Sequence, residues 1–371
     1  MTDSETRPDP SVDGIRAMLM RGGTSKGLYL LATDLPTDTA ERDDLLLRVM
    51  GSPDPRQIDG VGGAHPLTSK VAVVSPSSDP RADIDYLFLQ VAVDQPLVSD
   101  RQNCGNLLSG VGPFAVERGL IPAPVTPDAA EVSVRIRMVN TDGVATAVFR
   151  VEGGRPVYSG DTAIAGVPGT ASPVRLDFED TAGSSCGALL PTGSVVDTIA
   201  GTRVTCIDNG MPVIVVAAVE LGLAGNEDCA TLEADHSLRT RLEEVRLAAG
   251  PLMNLGDVAG TTVPKLTIVS PPRSGGSLTT RTFIPHRCHD AIGVLGAVSV
   301  ATAALLPGST AHPFLDAGAA PEGVIRLEHP TGVFDATVEV DPHSSPPTVH
   351  RSGIIRTARK LFDGVAFPRA R

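Results

Sequence analysis

Short apolar runs, separated by Gly, Pro, Asp and Ser, recur along the chain and predict a protein rich in β-strands. In the first half these runs cover residues 27–31, 71–74, 85–93, 132–139 and 145–151. The second half repeats the pattern at residues 203–207, 211–219, 266–269, 324–327 and 336–340. Their length and punctuation are typical of antiparallel sheet.

Few segments carry the apolar period of a helix. Residues 40–49 are amphipathic, with Asp38 and Thr39 as candidate caps, and residues 230–248 predict a longer, charged surface helix. Residues 104–118 and 289–305 are almost uncharged, so each of these helices should be buried. The predicted fold is α+β, with two pseudo-symmetric domains, each a mostly antiparallel sheet rolled around one central hydrophobic helix.

A long-range repeat supports two like-folded halves. Lys70 begins Lys-Val-Ala-Val-Val-Ser-Pro, and Lys265 begins Lys-Leu-Thr-Ile-Val-Ser-Pro. Each motif is followed by a cysteine, Cys104 or Cys288, at the predicted start of an apolar helix. Two halves of this kind predict an active site in the cleft between them, where lysine, thiols and helix N-termini would suit proton transfer on an anion.

The domain boundaries follow from composition. We expect a disordered, acidic leader at residues 1–13, a first domain at 14–190 and a second at 191–371. The boundary is placed at a stretch rich in Gly, Ser and Pro, residues 183–193. The last strand is a candidate for return to the first domain.

Charge and composition exclude several classes of partner. The net charge of −12 disfavours nucleic acid or anionic membrane as a partner, and aromatic residues make up only 3%, which disfavours base stacking. No apolar run is long enough for a membrane span. Five scattered cysteines fit free thiols in a reducing cytoplasm. An anionic substrate would therefore need a local cluster of cations and backbone N–H groups. We expect the cations of this cluster to be Arg21, Lys26, Lys70, Lys265 and Arg287.

The first candidate site is Arg-Gly-Gly-Thr-Ser-Lys-Gly at residues 21–27. It lacks the spacing of a phosphate-binding P-loop, so it does not predict nucleotide binding. Two interpretations remain: a tight turn into a strand, or an anion nest in which Arg21 and successive N–H groups meet a carboxylate.

The second candidate is Lys70, which follows Ser69 at the start of an apolar strand. A lysine there is either a solvated strand end or a partly buried amine. Burial would lower its pKa and make it a usable base near neutral pH.

The third candidate is Asn103-Cys104-Gly105-Asn106. A cysteine at a helix N-terminus meets the positive end of the dipole, which favours thiolate, and the free N–H groups there can hold a carboxylate. The alternative is a small buried hydrophobe.

The fourth candidate is His286-Arg287-Cys288-His289. Its spacing matches no zinc framework, so we expect no metal. Arg287 is better suited to clamp a carboxylate, since guanidinium binds carboxylate in a bidentate manner.

These motifs resemble the methylaconitate isomerase family, which has the diaminopimelate epimerase fold. The resemblance rests on residues 21–27, 67–74, 103–107 and 356–364, and spans residues 15–367. Segments 207–212, 251–257 and 283–289 are similar to its oxalomesaconate branch. The resemblance implies that Lys70 and Cys104 are the catalytic pair. One departure is that His289 follows Cys288 where the epimerases have glycine, which argues against a two-thiol racemase.

The resemblance implies a cofactor-free 1,3-allylic proton shift on an unsaturated tricarboxylate, with keto–enol tautomerisation of 4-oxalomesaconate as the first expectation. Alternatives are an aconitate, 2-methylaconitate or 3-methylitaconate isomerase, an amino-acid racemase using Cys104 and Cys288, or a non-catalytic carboxylate-binding module. We expect a cytoplasmic enzyme, with a homodimer as one possible assembly. The expected substrate-binding residues are Arg21, Thr24, Ser25, Ser69, Asn103, Gly105, Asn106, Lys265, His286, Arg287, Cys288 and His289.

Overall fold

A computed structural model describes residues 14–124, 128, 130–316, 318 and 323–371. The chain divides into two compact units. The first runs up to Leu176 and resumes at Arg356; the second is Asp177–Ile355. The leader expected at residues 1–13 lies outside the described residues.

The division falls earlier than the expected boundary at residue 190, and this is a correction. The Gly-rich stretch is not a linker, because it packs within the second unit. The Gly183 N–H donates to the Asp208 carbonyl over 2.7 Å, and Cys186 belongs to a buried cluster of that unit.

Among its described residues the first unit contains nine strands, two α-helices and the end of a last strand that it shares with the second unit. The strands are β1 (Ile15–Gly22), β2 (Ser25–Leu31), β3 (Lys70–Pro76), β4 (Ile84–Val91), β5 (Val98–Ser99), β6 (Ala130–Met138), β7 (Gly143–Glu152), β8 (Arg155–Pro156) and β9 (Pro173–Phe178), whose end crosses the division. The helices are α1 (Thr39–Met50) and α2 (Gly105–Glu117).

The sheet of the first unit is mixed. Strands β1 and β2 form an antiparallel hairpin, and β3 lies parallel to β2 with Lys70 opposite Gly27. Strand β4 is antiparallel to β3, β6 is parallel to β4, and β7 is antiparallel to β6. A parallel pair needs a crossover connection, and α1 supplies it between β2 and β3.

Helix α2 is the centre of this unit. It contacts β1, β2, β3, β4, β6, β7 and β8, and its residues 107–116 are all buried. This confirms the predicted sheet rolled around an apolar helix. Helix α1 is amphipathic, and it begins after Asp38, whose carboxylate accepts from the Glu41 N–H, as a cap should.

The second unit repeats these connections. Its strands are β10 (Asp197–Ile199), β11 (Thr202–Asp208), β12 (Pro212–Ala217), β13 (Lys265–Ser270), β14 (Leu278–Ile284), β15 (Arg287–Cys288), β16 (Val324–His329), β17 (Gly332–Asp341) and β18 (Thr348–Ala366), whose end crosses into the first unit. Its helices are α3 (Cys229–Ala234), α4 (His236–Leu252) and α5 (Val294–Leu305).

The pairing order matches the first unit strand for strand. Strands β11 and β12 are antiparallel, β13 is parallel to β12, β14 is antiparallel to β13, β16 is parallel to β14, and β17 is antiparallel to β16. Lys265 opens β13 as Lys70 opens β3. The sequence repeat is therefore a repeat of topology.

Two helix predictions are corrected. The helix expected at 230–248 is two helices, because Asp235 adopts an extended conformation and caps α4 by accepting from the Leu238 N–H. Helix α5 begins at Val294 rather than at His289, since Cys288 is held in β15. No helix in the described part of the chain has the length and apolar character that crossing a membrane requires.

Candidate active site

Lys70 is a buried amine with a neutral partner. Lys70 is the first residue of β3 and is 7% exposed. The ammonium Nζ donates to Gln90 Oε1 over 2.6 Å and lies 5.0 Å from the centre of the Phe88 ring. Burial lowers the pKa of Lys70, and this is opposed by the nearby Cys104. No carboxylate among the described residues pairs with the amine, so the neutral base is accessible at lower pH than for a free lysine.

Gln90 is held so that its carbonyl oxygen faces the lysine. Its Nε2 donates to the Ser69 carbonyl over 2.9 Å and to the Pro66 carbonyl over 3.1 Å. The two hydrogen bonds that the amide nitrogen donates therefore fix the orientation of the amide and leave its oxygen facing Lys70. Gln90 is opposite Lys70 in the β3–β4 register.

Cys104 is the N-cap residue of α2. Its backbone is extended, and it is half-buried. No side chain caps this helix, whereas α1, α3 and α4 each begin with an aspartate that accepts from the first turn. The N–H groups of Gly105 and Asn106 meet no acceptor among the described residues. The start of α2 therefore presents free donors and the positive end of a helix dipole.

Two buried tyrosines fix the first turn of α2. The Tyr86 hydroxyl donates to the Cys104 carbonyl over 3.3 Å, and the Tyr29 hydroxyl donates to the Leu107 carbonyl over 2.6 Å. Both side chains are fully buried. Burial raises the pKa of each phenol well above its ordinary value, with Cys104 adding to the effect, so both remain neutral donors.

The β1–β2 turn packs directly on this helix start. A side chain at Gly22 would come within 2.5 Å of the Asn106 carbonyl, and Gly23 has a positive φ of 51°. The Asn106 amide donates to Thr24 Oγ1 over 3.0 Å. The segment is a tight turn, and that turn also contributes to the site.

Several polar atoms around this turn are unpaired. Ser25 Oγ, Asn103 Oδ1 and Asn106 Oδ1 are buried and have no hydrogen-bond partner in the described structure. Ser25 is only 2% exposed. A buried polar atom without a partner costs free energy, so a ligand or water that satisfies it is favoured.

Two predicted substrate contacts are placed elsewhere. The Ser69 hydroxyl is buried, donates to the Val91 carbonyl over 2.9 Å and accepts from Gln57 over 2.7 Å. These hydrogen bonds within the protein give Ser69 a structural role. Arg21 donates to the carbonyls of Gly23 and Thr357, each over 2.9 Å, and lines a separate cavity with Arg359.

The candidates of the second unit differ from those of the first. Cys288 is in β15, not at the start of α5, and it is 7% exposed. Its N–H donates to Glu233 over 2.9 Å. Burial, and then Cys229, raises the pKa of the Cys288 thiol well above its ordinary value. The predicted placement of Cys288 at a helix N-terminus is therefore wrong.

Lys265 and His289 share one environment. Burial lowers the pKa of both, and Arg246 lowers that of Lys265 further. Arg287 is a surface side chain, 87% exposed, with Glu233 at 3.9 Å, and His286 is 3.9 Å from Glu243. The expectation that Lys26, Lys265 and Arg287 join Lys70 around one anion stays a prediction. Within the described ranges no three His, Cys, Asp or Glu side chains form a group suited to a metal ion.

Sequence analysis did not identify Gln90, Tyr29 or Tyr86. Gln90 is the second-last residue of an apolar strand whose other inward positions are hydrophobic, and this polar residue is the available signal. Whether Gln90 lies opposite Lys70 depends on the strand register, which the residues alone do not specify.

Comparison with known proteins gives these groups a context. A (4E)-oxalomesaconate Δ-isomerase of Novosphingobium sp. strain KA1 is 56% identical over 364 residues, covering 97% of this chain and 99% of the relative. A 4-oxalomesaconate tautomerase of Pseudomonas putida is 54% identical over 351 residues, covering 95% of each. The crystal structure of a methylitaconate Δ-isomerase has a TM-score of 0.85 at 34% identity and covers 94% of each chain. The family described as PrpF protein matches residues 13–368, and the chain belongs to that family.

Proposed function

We propose that this protein is an isomerase that catalyses a 1,3-allylic proton shift on an unsaturated tricarboxylate, with 4-oxalomesaconate as the substrate. Two relatives above 50% identity that match nearly the full chain bear names for this reaction. The structural observation that carries the proposal is the buried Lys70 amine beside Cys104 at an uncapped helix start. A double-bond shift has no net oxidation or reduction, so an acid, a base and an anion site are sufficient.

In the proposed mechanism Lys70 is the base. Its neutral amine removes a proton from the carbon next to a carbonyl or a conjugated carboxylate, and the electrons move into a dienolate. Gln90 accepts a hydrogen bond from the amine in either protonation state, so it orients Lys70 without fixing a positive charge. General base catalysis of this kind contributes roughly a hundred- to ten-thousand-fold in rate.

Cys104 is the proposed acid. Its thiol donates a proton to the far carbon of the allylic system as the double bond moves. Lys70 is then an ammonium and Cys104 a thiolate, and a proton transfer from Lys70 to Cys104 restores the starting state. The thiolate raises the pKa of Lys70, so this intermediate pair is mutually stabilised.

The start of α2 is the proposed site for the negative charge of the dienolate. The free N–H groups of Gly105 and Asn106 and the helix dipole favour an anion there. The hydroxyls of Thr24 and Ser25 lie at this turn and can donate hydrogen bonds to carboxylates, whereas the unpaired Asn103 Oδ1 can accept one from a hydroxyl of the ligand. Donors already in place where charge develops give the largest electrostatic contribution.

The geometry of Cys288 disfavours the two-thiol racemase. A racemase of that kind needs two thiols that exchange protons, and burial keeps Cys288 protonated in a β-strand. Among the alternative isomerases, the structural similarity at a TM-score of 0.85 favours a methylitaconate-type isomerase.

Proton exchange in D2O tests the proposal and separates these alternatives. Incubation with the enol form of 4-oxalomesaconate should cause loss of enol absorbance and place deuterium at the allylic carbon. A racemase would label a stereocentre without moving a double bond, and a binding module would label nothing. A higher kcat/KM for methylitaconate in parallel assays would replace the proposed substrate with that one.

We also propose that the protein works in the reducing cytoplasm. All five cysteines are free, and burial raises the pKa of Cys186 and of Cys206 to about 12, so these two thiols are poorly reactive. The partner we propose is the small carboxylate substrate.

A further inference from the structure

A cavity of about 310 Å³ lies in the first unit beside β1. Arg21, Thr357 and Arg359 line one side, and residues of the segment 158–171 line the rest, with Thr162 and Thr170 among them. Small-molecule sites commonly begin at about this volume. Lys70, Gln90, Cys104 and Asn106 do not line it.

The segment that covers the cavity has defined internal structure. Thr162 and Ala171 exchange backbone hydrogen bonds of 3.1 and 3.0 Å, and the Ser172 N–H donates to the Tyr158 carbonyl over 3.0 Å. Gly160 packs against Ser172 so closely that a side chain there would lie 2.7 Å from Ser172 Cα. The wall is therefore a closed loop rather than an open end.

The two arginines concentrate positive charge. They are direct partners across β1 and β18, an arrangement in which like charges repel. Burial lowers the pKa of Arg21, and Arg359 lowers it further. Among the described residues, the Arg21 side chain donates to two carbonyl oxygens, and the Arg359 side chain has neither a hydrogen bond nor an ion pair.

No acidic side chain offsets this charge in the described lining of the cavity. The Tyr158 hydroxyl donates to Glu117 over 3.3 Å, so it is already paired. Two uncompensated guanidinium groups are notable in a protein with a net charge of −12. Guanidinium groups bind carboxylate and phosphate in a bidentate manner, which fits this pair to an oxyanion.

We propose that this cavity is a second anion-binding site, which takes a small oxyanion of two or more negative charges, either a polycarboxylate or inorganic phosphate. Arg21 binds it from the half-buried wall and Arg359 from the exposed rim, with the hydroxyls of Thr162 and Thr170 as further partners. The bound anion removes the repulsion between the two arginines. The proposal does not rest on the isomerase activity.

Titration calorimetry on the full chain tests this site with two probes. Tricarballylate is a saturated tricarboxylate with no double bond to move, and inorganic phosphate is the second probe. Wild type should show two classes of tricarballylate site, and Arg359→Ala should retain one. Affinity for phosphate should fall about tenfold or more in the variant, as expected for loss of a charged hydrogen bond. Binding of only one probe at the Arg359-dependent site supports the proposal and identifies the occupant.

Matched variants keep the test decisive. Arg16→Ala removes the same charge from an exposed position on β1 outside the cavity, and it should leave both affinities unchanged. Thr162→Glu places a carboxylate in the cavity and should abolish binding there. Binding of both probes that Arg359→Ala leaves unchanged would overturn the proposal. A single class of tricarballylate site that is lost completely in Arg359→Ala would also overturn it, because the cavity would then be the substrate site. Deuterium incorporation, measured in parallel, reports separately on the isomerase.

Discussion

At the scale of single residues, the choice of glutamine at position 90 matters as much as the lysine it contacts. A carboxylate 2.6 Å from Nζ would hold Lys70 as an ammonium, and an apolar side chain would leave it without an oriented partner. The neutral amide gives the amine a fixed direction while burial lowers its pKa. This combination suits a base that must gain and lose a proton in every cycle.

Gln90→Glu should therefore raise the pKa of Lys70 and slow the reaction at neutral pH. The ascending limb of the pH dependence of kcat/KM should move to higher pH, because the neutral amine is populated only there. Gln95→Glu adds the same charge in an exposed loop and should leave the profile in place. A profile that does not move in Gln90→Glu would exclude Lys70 as the base.

At the scale of elements, the two cysteines of the repeat are placed differently. Cys104 precedes α2 directly and acts electrostatically on Lys70, whereas Cys288 is in β15, ahead of the start of α5. The sequence repeat therefore matches strands and helices but not the surroundings of the thiols. Both copies have a short strand here, β5 and β15, but Cys104 follows β5 whereas Cys288 lies within β15.

Cys104→Ser should lower kcat roughly a hundredfold or more, because a serine hydroxyl is a much weaker acid than a thiol. Cys288→Ser should change kcat only a few-fold and instead reduce the free energy of unfolding by about 1–3 kcal/mol, since it buries a hydroxyl in an apolar cluster. Steady-state kinetics and urea unfolding measure the two effects. Equal, near-complete loss of kcat in both variants would restore the two-thiol mechanism.

The elements that the sequence predicts well are those with a clear apolar pattern. The central helix α2 was placed within one residue at each end, because residues 107–116 are nearly all apolar. The sequence predicts a last strand that returns to the first domain but does not give the bounds of β18, because residues 348–366 mix charged, small and apolar residues without a regular alternation. The break at Asp235 was missed because an aspartate within a charged surface segment can equally continue a helix.

The candidate site was predictable in part. Lys70 and Cys104 stand out by their positions at a strand start and a helix start. Gln90, Tyr29 and Tyr86 could not be identified, because their roles depend on which strand residues face one another and which face α2. The Arg21–Arg359 pair likewise depends on the β1–β18 register across more than 300 residues of chain.

At the scale of the whole molecule, the burial of Lys70 links activity to stability. The folded protein lowers the pKa of Lys70, so between the folded and unfolded pKa values the unfolded chain binds the additional proton. Stability therefore rises with pH across this range, and the cost of burying the ammonium is complete below the folded pKa. The same loss of a proton makes the proposed base competent.

Lys70→Met tests this linkage, since it keeps the length of the side chain and removes the charge. The variant should be inactive, yet more stable than wild type at neutral pH. Its advantage in the free energy of unfolding should shrink as pH rises toward the ordinary lysine pKa of about 10.4. Lys26→Met, on the adjacent strand β2, is the matched control and should show no such pH-dependent gain. Chemical denaturation from pH 6 to pH 10 measures the difference. A variant less stable than wild type at every pH would contradict this prediction. It would mean that the hydrogen bond to Gln90 and the contact with Phe88 more than offset the cost of burying the charge. Lys70 would then be held as an ammonium, which cannot act as the base.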